Sequence, residues 1–117
     1  MLVAFSVAPS GTPDGTVEGQ GGAPAGAAPA DGSVTAAVAD AVRVVRESGL
    51  PHRTDAMVTT VECERHESMD VVRRAGEAAG RHGSRGSLVL KADIRPGRTV
   101  EMQGKLDRLE AALDGTA

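Results

Sequence analysis

Met57-Val58-Thr59-Thr60-Val61-Glu62-Cys63-Glu64 limits what this chain can fold into more than any other stretch. Strand side chains alternate between faces with period two. Thr59, Val61 and Cys63 therefore share one side, and Val58, Thr60, Glu62 and Glu64 the other. The first set is small and mostly apolar and suits a core against helices. The second puts carboxylates and a hydroxyl on an exposed or shared face. Upstream, Gly49-Leu50-Pro51 ends a helix and opens a short extended piece, His52 to Ala56; downstream, Arg65-His66-Glu67-Ser68 leads into another helix. A hairpin between two helices is the middle of a βαββαβ unit, and the remaining elements fall into that frame.

Met1 to Ala8 predicts the first strand, apolar on both faces and so central in a sheet, with Pro9 ending it. Residues 12–32 are mostly Gly, Ala, Pro, Asp, Ser and Thr and cannot bury enough surface to offset their ordering entropy. They predict a flexible insert within one domain spanning residues 1–117, either a tolerated surface loop or a lid over a ligand. Ser33, or Thr35 in its place, is a candidate cap for a helix whose apolar stripe is Val34, Val38, Ala41, Val42 and Val45, with Gly49 as its C′ stop. Met69, Val72, Ala75 and Ala79 mark a second helix, starting near Glu67 or Ser68 and ending at His82-Gly83-Ser84. Ser87 to Arg95 reads as the last strand, and Met102, Leu106, Leu109 and Leu113 as a narrow stripe on an extra C-terminal helix, suited to docking on one partner surface.

With 117 residues, a 40% hydrophobic fraction and 1% aromatic content, the chain has Phe5 as its one ring. The core must come from Val, Leu, Ala and Met, which is marginal alone and favours self-association. A net charge of −3 leaves no basic footprint for nucleic acid. The lone Cys63 excludes an internal disulfide and fits a reducing cytoplasm. No run approaches the ~20 apolar residues of a membrane span, so the chain is expected to be soluble and intracellular.

No spacing of carboxylates, nucleophiles or histidines forms a catalytic set, so an enzyme is not expected. Cys63-x-x-His66 is half a metal site without a second half. His52 and His82 are expected at the surface. The arginines at 43/46, 73/74 and 81/85 are expected on solvated helix faces. What remains is the polar face of the sheet, with Ser6, Thr60, Glu62, Glu64, Lys91, Asp93 and Arg95. A mixed surface of that size favours a partner subunit, with polar groups left to hold a ligand in the seam.

Five short stretches resemble the small thiamine-binding proteins related to the YkoF thiamine/hydroxymethylpyrimidine-binding proteins. They are Phe5-Ser6-Val7-Ala8-Pro9-Ser10-Gly11-Thr12; Ser48-Gly49-Leu50 with Thr54-x-x-Met57-x-Thr59-x-x-Glu62-x-Glu64; Met69-x-x-Val72; Leu90-Lys91-Ala92-Asp93-Ile94-Arg95; and Met102-x-x-Lys105. Val58, Cys63 and Ile94 depart from the family pattern. The resemblance implies an α+β, ferredoxin-like βαββαβ sandwich with an extra C-terminal helix. It implies a homodimer or homotetramer that binds thiamine or hydroxymethylpyrimidine without catalysis. Glu62 is then the first candidate for the ligand's charge or amino group. Thr59 or Thr60 is its polar neighbour, Asp93 second choice and Ser6 a further polar group, with Phe5, Met57 or Met102 against the rings. The alternative is a structural or regulatory oligomer with no small-molecule ligand.

Overall fold

The computed structural model describes residues 1–12 and 34–115. In chain order the elements are β1 (Leu2–Ser10), α1 (Thr35–Glu47), β2 (His52–Thr54), β3 (Thr59–Glu62), α2 (Arg65–Gly80), β4 (Arg85–Asp93) and α3 (Glu101–Leu113). The strands form one antiparallel sheet in the order β2-β3-β1-β4. Each of α1 and α2 therefore joins two strands that have a third between them. This is the ferredoxin-like βαββαβ arrangement, with α3 added, and β1 is central as its two apolar faces predict.

The core lies between the sheet and a layer made by α1 and α2. Val3, Phe5 and Val7 of β1 and Val61 of β3 meet Ala37, Ala41 and Val45 of α1 and Val71, Val72, Ala75 and Ala79 of α2. These side chains are small, so the helices must sit close to the sheet to exclude water. The expected α1 stripe is displaced: Ala37 is buried, while Val38 and Val42 are half-buried. On α2, Met69 is 42% exposed, and Ser68, Val71 and Ala78 face inward with the predicted Val72, Ala75 and Ala79. The cause is composition. Alanines scattered around a helix blur its apolar phase, and only contact with the sheet selects among them.

Three boundaries also differ from expectation. β1 does not end at Pro9 but continues to Ser10, with Pro9 opposite Gly86. Past Phe5, β1 has a strand partner on the β4 side alone, so a residue without an N–H can sit with that missing donor on the free side. β4 consequently starts at Arg85, opposite Ser10, and leaves out Ile94 and Arg95. α2 begins at Arg65, before Glu67. Gly49 takes φ +74°, the left-handed C′ conformation expected of it. Ser33 and the insert beyond Thr12 lie outside the described residues; Val34 holds the N-cap position of α1 with no side-chain cap bond. His82 is not a free surface residue: its side chain is 16% exposed and its Nε2 lies 2.6 Å from Asp40 Oδ2, tying the end of α2 to α1.

Candidate functional site

β3 pairs with β1 only from Leu2 to Phe5, whereas β4 pairs with β1 along Leu2 to Ser10. From Ser6 onward, the β3 side of β1 is therefore an open edge. The chain between β2 and β3 turns away there, and the first turns of α1 overhang the gap. A cavity of about 440 Å³ results, walled by Phe5, Val7, Val38, Ala41 and Val42 and bordered by the turn at residues 55–58. That volume falls within the range of small-molecule sites, which are mostly apolar with a few placed polar groups.

Asp55 supplies the charge at the mouth. Its Oδ1 accepts hydrogen bonds from the N–H groups of Met57 (2.8 Å) and Val58 (2.9 Å), an Asx turn, and the Asp55 N–H donates to the Val58 carbonyl. Those two backbone donors, Val58 first, hold its carboxyl below the usual carboxylate range, so it is ionised at neutral pH. The second oxygen, Oδ2, takes no hydrogen bond among the described residues. Beside it, the hydroxyls of the exposed Thr54 and of Thr59, only 6% exposed, lie 3.1 Å apart. Ser6 and Ser87 complete the polar lining, and Met57, 80% exposed, stands at the rim. A fixed anion, a hydroxyl pair and apolar walls suit a flat heteroaromatic molecule with an amino group or positive charge.

Of the residues singled out from the sequence, the structure brings Ser6 and Thr59 to this cavity, together with Phe5 and Met57. Thr60 lies on the opposite face of β3, across from Ala4 and Arg53. Glu62 and Asp93 are opposite Leu2 from either side, at the far end of the sheet. Neither carboxylate is free there. Glu62 Oε2 accepts from the Glu101 N–H (2.5 Å) and Oε1 from the Met102 N–H (3.3 Å), capping α3 from a distant strand. Asp93 pairs with Lys105. The cap residue expected to read a ligand's charge thus holds a helix instead, and Met102 goes with it. Asp55 was missed although its signal was present: an Asp opening a turn between two strands commonly locks its own backbone.

The first turns of α3 therefore cover the Leu2 end of the face that α1 and α2 leave bare. Glu101 is 5% exposed and sits among Arg108 (2.8 Å), Arg98 (3.7 Å) and Arg95 (3.9 Å). The Arg108 hydrogen bond lowers the Glu101 carboxyl, and Lys105 lowers that of Asp93. Both groups bind protons more weakly in the folded chain than in the unfolded one. Their contribution is fully present above the ordinary carboxylate range and is lost as pH falls through the lowered folded values. Acid titration followed by hydrogen exchange should release the α3 amides before those of β1. Simultaneous release would show that these ion pairs do not hold α3.

The fold and this cavity define a class: a small α+β domain with a preformed cavity at an open strand edge. The chain belongs to the thiamine-binding protein family, whose model, described as thiamine-binding protein, matches residues 23–110. It is 41% identical over 114 residues to the UPF0045 protein Mb1933 of Mycobacterium bovis, covering 97% of this chain and 94% of the relative. The UPF0045 protein MT1949 of Mycobacterium tuberculosis matches equally, at 41% over 114 residues with 97% and 94% coverage. Among solved structures, the DUF77 domain of unknown function from Bacillus cereus superposes with a TM-score of 0.62 at 27% identity, over 87% of this chain and 84% of that one. The Thermotoga maritima protein TM0486, a candidate thiamine biosynthesis/salvage protein, gives 0.63 at 22% identity, over 91% and 96%. At that identity the likeness speaks for the fold alone. Among the described residues, no helix is long and apolar enough to cross a membrane.

Proposed function

We propose that this chain binds thiamine or its hydroxymethylpyrimidine precursor without catalysis, as a homo-oligomer, in the cavity beside the open edge of β1. The observation that carries it is Asp55: an ionised carboxylate, oriented by two backbone donors, at the mouth of an apolar cavity of about 440 Å³. An aminopyrimidine offers an N–H pair to that carboxylate and a ring to Phe5 and Met57. The thiazolium of thiamine adds a positive charge that Asp55 favours. The Thr54–Thr59 hydroxyl pair is placed to meet a ring nitrogen or the hydroxymethyl group. Membership of the thiamine-binding family supports the same ligand class.

Calorimetry with thiamine, its phosphates and the free pyrimidine tests this. Asp55→Asn keeps the acceptor that the Asx turn needs and removes the charge, so affinity is expected to fall about tenfold to a hundredfold with little change in stability. Equal affinity in both proteins would move the site elsewhere. No affinity in the unaltered protein would leave the second reading, a structural or regulatory oligomer. That reading is favoured by the exposed Leu106, Leu109 and Leu113 of α3, at 40%, 53% and 71%.

A further inference from the structure

The cavity does not end at Asp55. It continues there into a groove of about 780 Å³ that runs along α1. Cavity and groove share Val34, Val38, Val42, Asp55 and Ala56, so the two form one depression. The row of Val34, Val38 and Val42 on α1 reaches Arg46 one turn later, and Arg46 borders the groove but not the cavity. The one ionised side chain in the cavity's lining is Asp55; the groove adds two cations, Arg43 and Arg46. Arg43 is committed to Asp40, whose other oxygen lies 2.6 Å from His82 Nε2. Arg46 is exposed and forms no ion pair among the described residues. Building on the cavity reading above, we propose that the preferred ligand is a phosphate ester of thiamine, its phosphate held in this groove by Arg46.

The order of the charges carries the assignment. From cavity to groove the lining passes from apolar walls to a carboxylate and then to a guanidinium. Thiamine phosphate has the matching order with opposite signs: a neutral pyrimidine, a thiazolium cation, and a phosphate on a two-carbon arm. With the pyrimidine against Phe5 and Thr59 and the thiazolium beside Asp55, that arm leaves past the small side chain of Ala56 into the groove. Asp55 alone would repel a phosphate, and the thiazolium neutralises it. A guanidinium suits the far end, since its planar fork donates two parallel hydrogen bonds to phosphate and stays charged at any physiological pH. The free pyrimidine fills only the cavity and leaves the groove to water. Free thiamine satisfies Asp55 and leaves Arg46 solvated, so the groove discriminates between the vitamin and its ester.

Calorimetry on the full chain with thiamine, thiamine monophosphate and inorganic phosphate, at low and at physiological ionic strength, tests this. An exposed guanidinium contributes less than a buried one, so the monophosphate is expected to bind about three- to tenfold tighter than thiamine, with the wider gap at low salt. Inorganic phosphate, which has no ring for the cavity, should not bind at concentrations that saturate the protein with the ester. Arg46→Gln should bring the monophosphate down to the affinity of thiamine. Arg46→Lys keeps the charge without the fork and should fall between the two. Arg46 is exposed, so both variants should melt as the unaltered protein does. Thiamine binding as tightly as its monophosphate would overturn the proposal and leave the cavity reading standing. A phosphate preference that survives Arg46→Gln would overturn the assignment to Arg46. Inorganic phosphate binding as tightly as the ester would detach the groove from the cavity and also overturn it. No binding of thiamine or its monophosphate to the unaltered protein would remove both readings together.

Discussion

Phe5→Ala is expected to lose about 3–5 kcal/mol of stability. Phe5 is the chain's one aromatic residue, 3% exposed, in the middle of the central strand with Thr59 and Leu90 as its cross-strand neighbours. The side chains around it are Val and Ala, too short to close over the void left by a ring. Folded domains have only about 5–15 kcal/mol in hand, so this one change should remove roughly a fifth or more. Phe5→Leu, which keeps most of the volume, should cost less than about 1.5 kcal/mol. Chemical denaturation at a fixed protein concentration measures both, since an oligomer's stability depends on concentration. Phe5 also lines the cavity, so the leucine variant doubles as a ligand test, with weaker thiamine binding in a protein that still folds. A loss below about 1 kcal/mol in Phe5→Ala would mean that the ring packs loosely and that the cavity already reaches into the core.

Glu62→Ala is expected to cost about 1–2 kcal/mol and to free the first turn of α3, leaving ligand affinity unchanged. The Glu101 and Met102 N–H groups would lose their acceptor. Val100, a β-branched residue held at φ 55°, would lose part of what keeps it in a left-handed conformation. Hydrogen exchange at residues 101–105 reports the release. Glu62→Gln keeps one acceptor oxygen and should lose roughly half as much. The cavity is unaffected because Thr59 and Glu62 lie three residues apart along β3, roughly 10 Å. If Glu62→Gln instead weakened thiamine binding tenfold or more while α3 stayed in place, the ligand would sit at Glu62 on the bare face of the sheet. The cavity would then be excluded as its site.

Much of this fold could be read from local pattern, because β1 and β3 each bury one face and strand alternation is strict. Thr59 and Val61 turn inward and Thr60 and Glu62 outward, as their spacing requires. The left-handed stop at Gly49 is local and was read from the sequence, as were the solvated helix faces of Arg43, Arg73 and Arg74, whose ion pairs with Asp40 and Asp70 the structure adds. The α2 phase was less so, since alanine is compatible with either side of a helix.

The sequence by itself determined the βαββαβ order, the inward set of β1 and β3, and a group of polar candidates that held Ser6 and Thr59 but not Asp55. Which of those polar residues meet was decided only in three dimensions. Ser6 and Thr59 come together because β3 stops at the level of Phe5 and opens the edge of β1 beyond it. Glu62 is taken out of the group by the N-terminus of a helix 39 positions away in the chain. A carboxylate in a sequence has the same chemistry toward a ligand's amino group as toward a helix's orphan N–H groups. Long-range chain geometry alone determines which of the two reaches it.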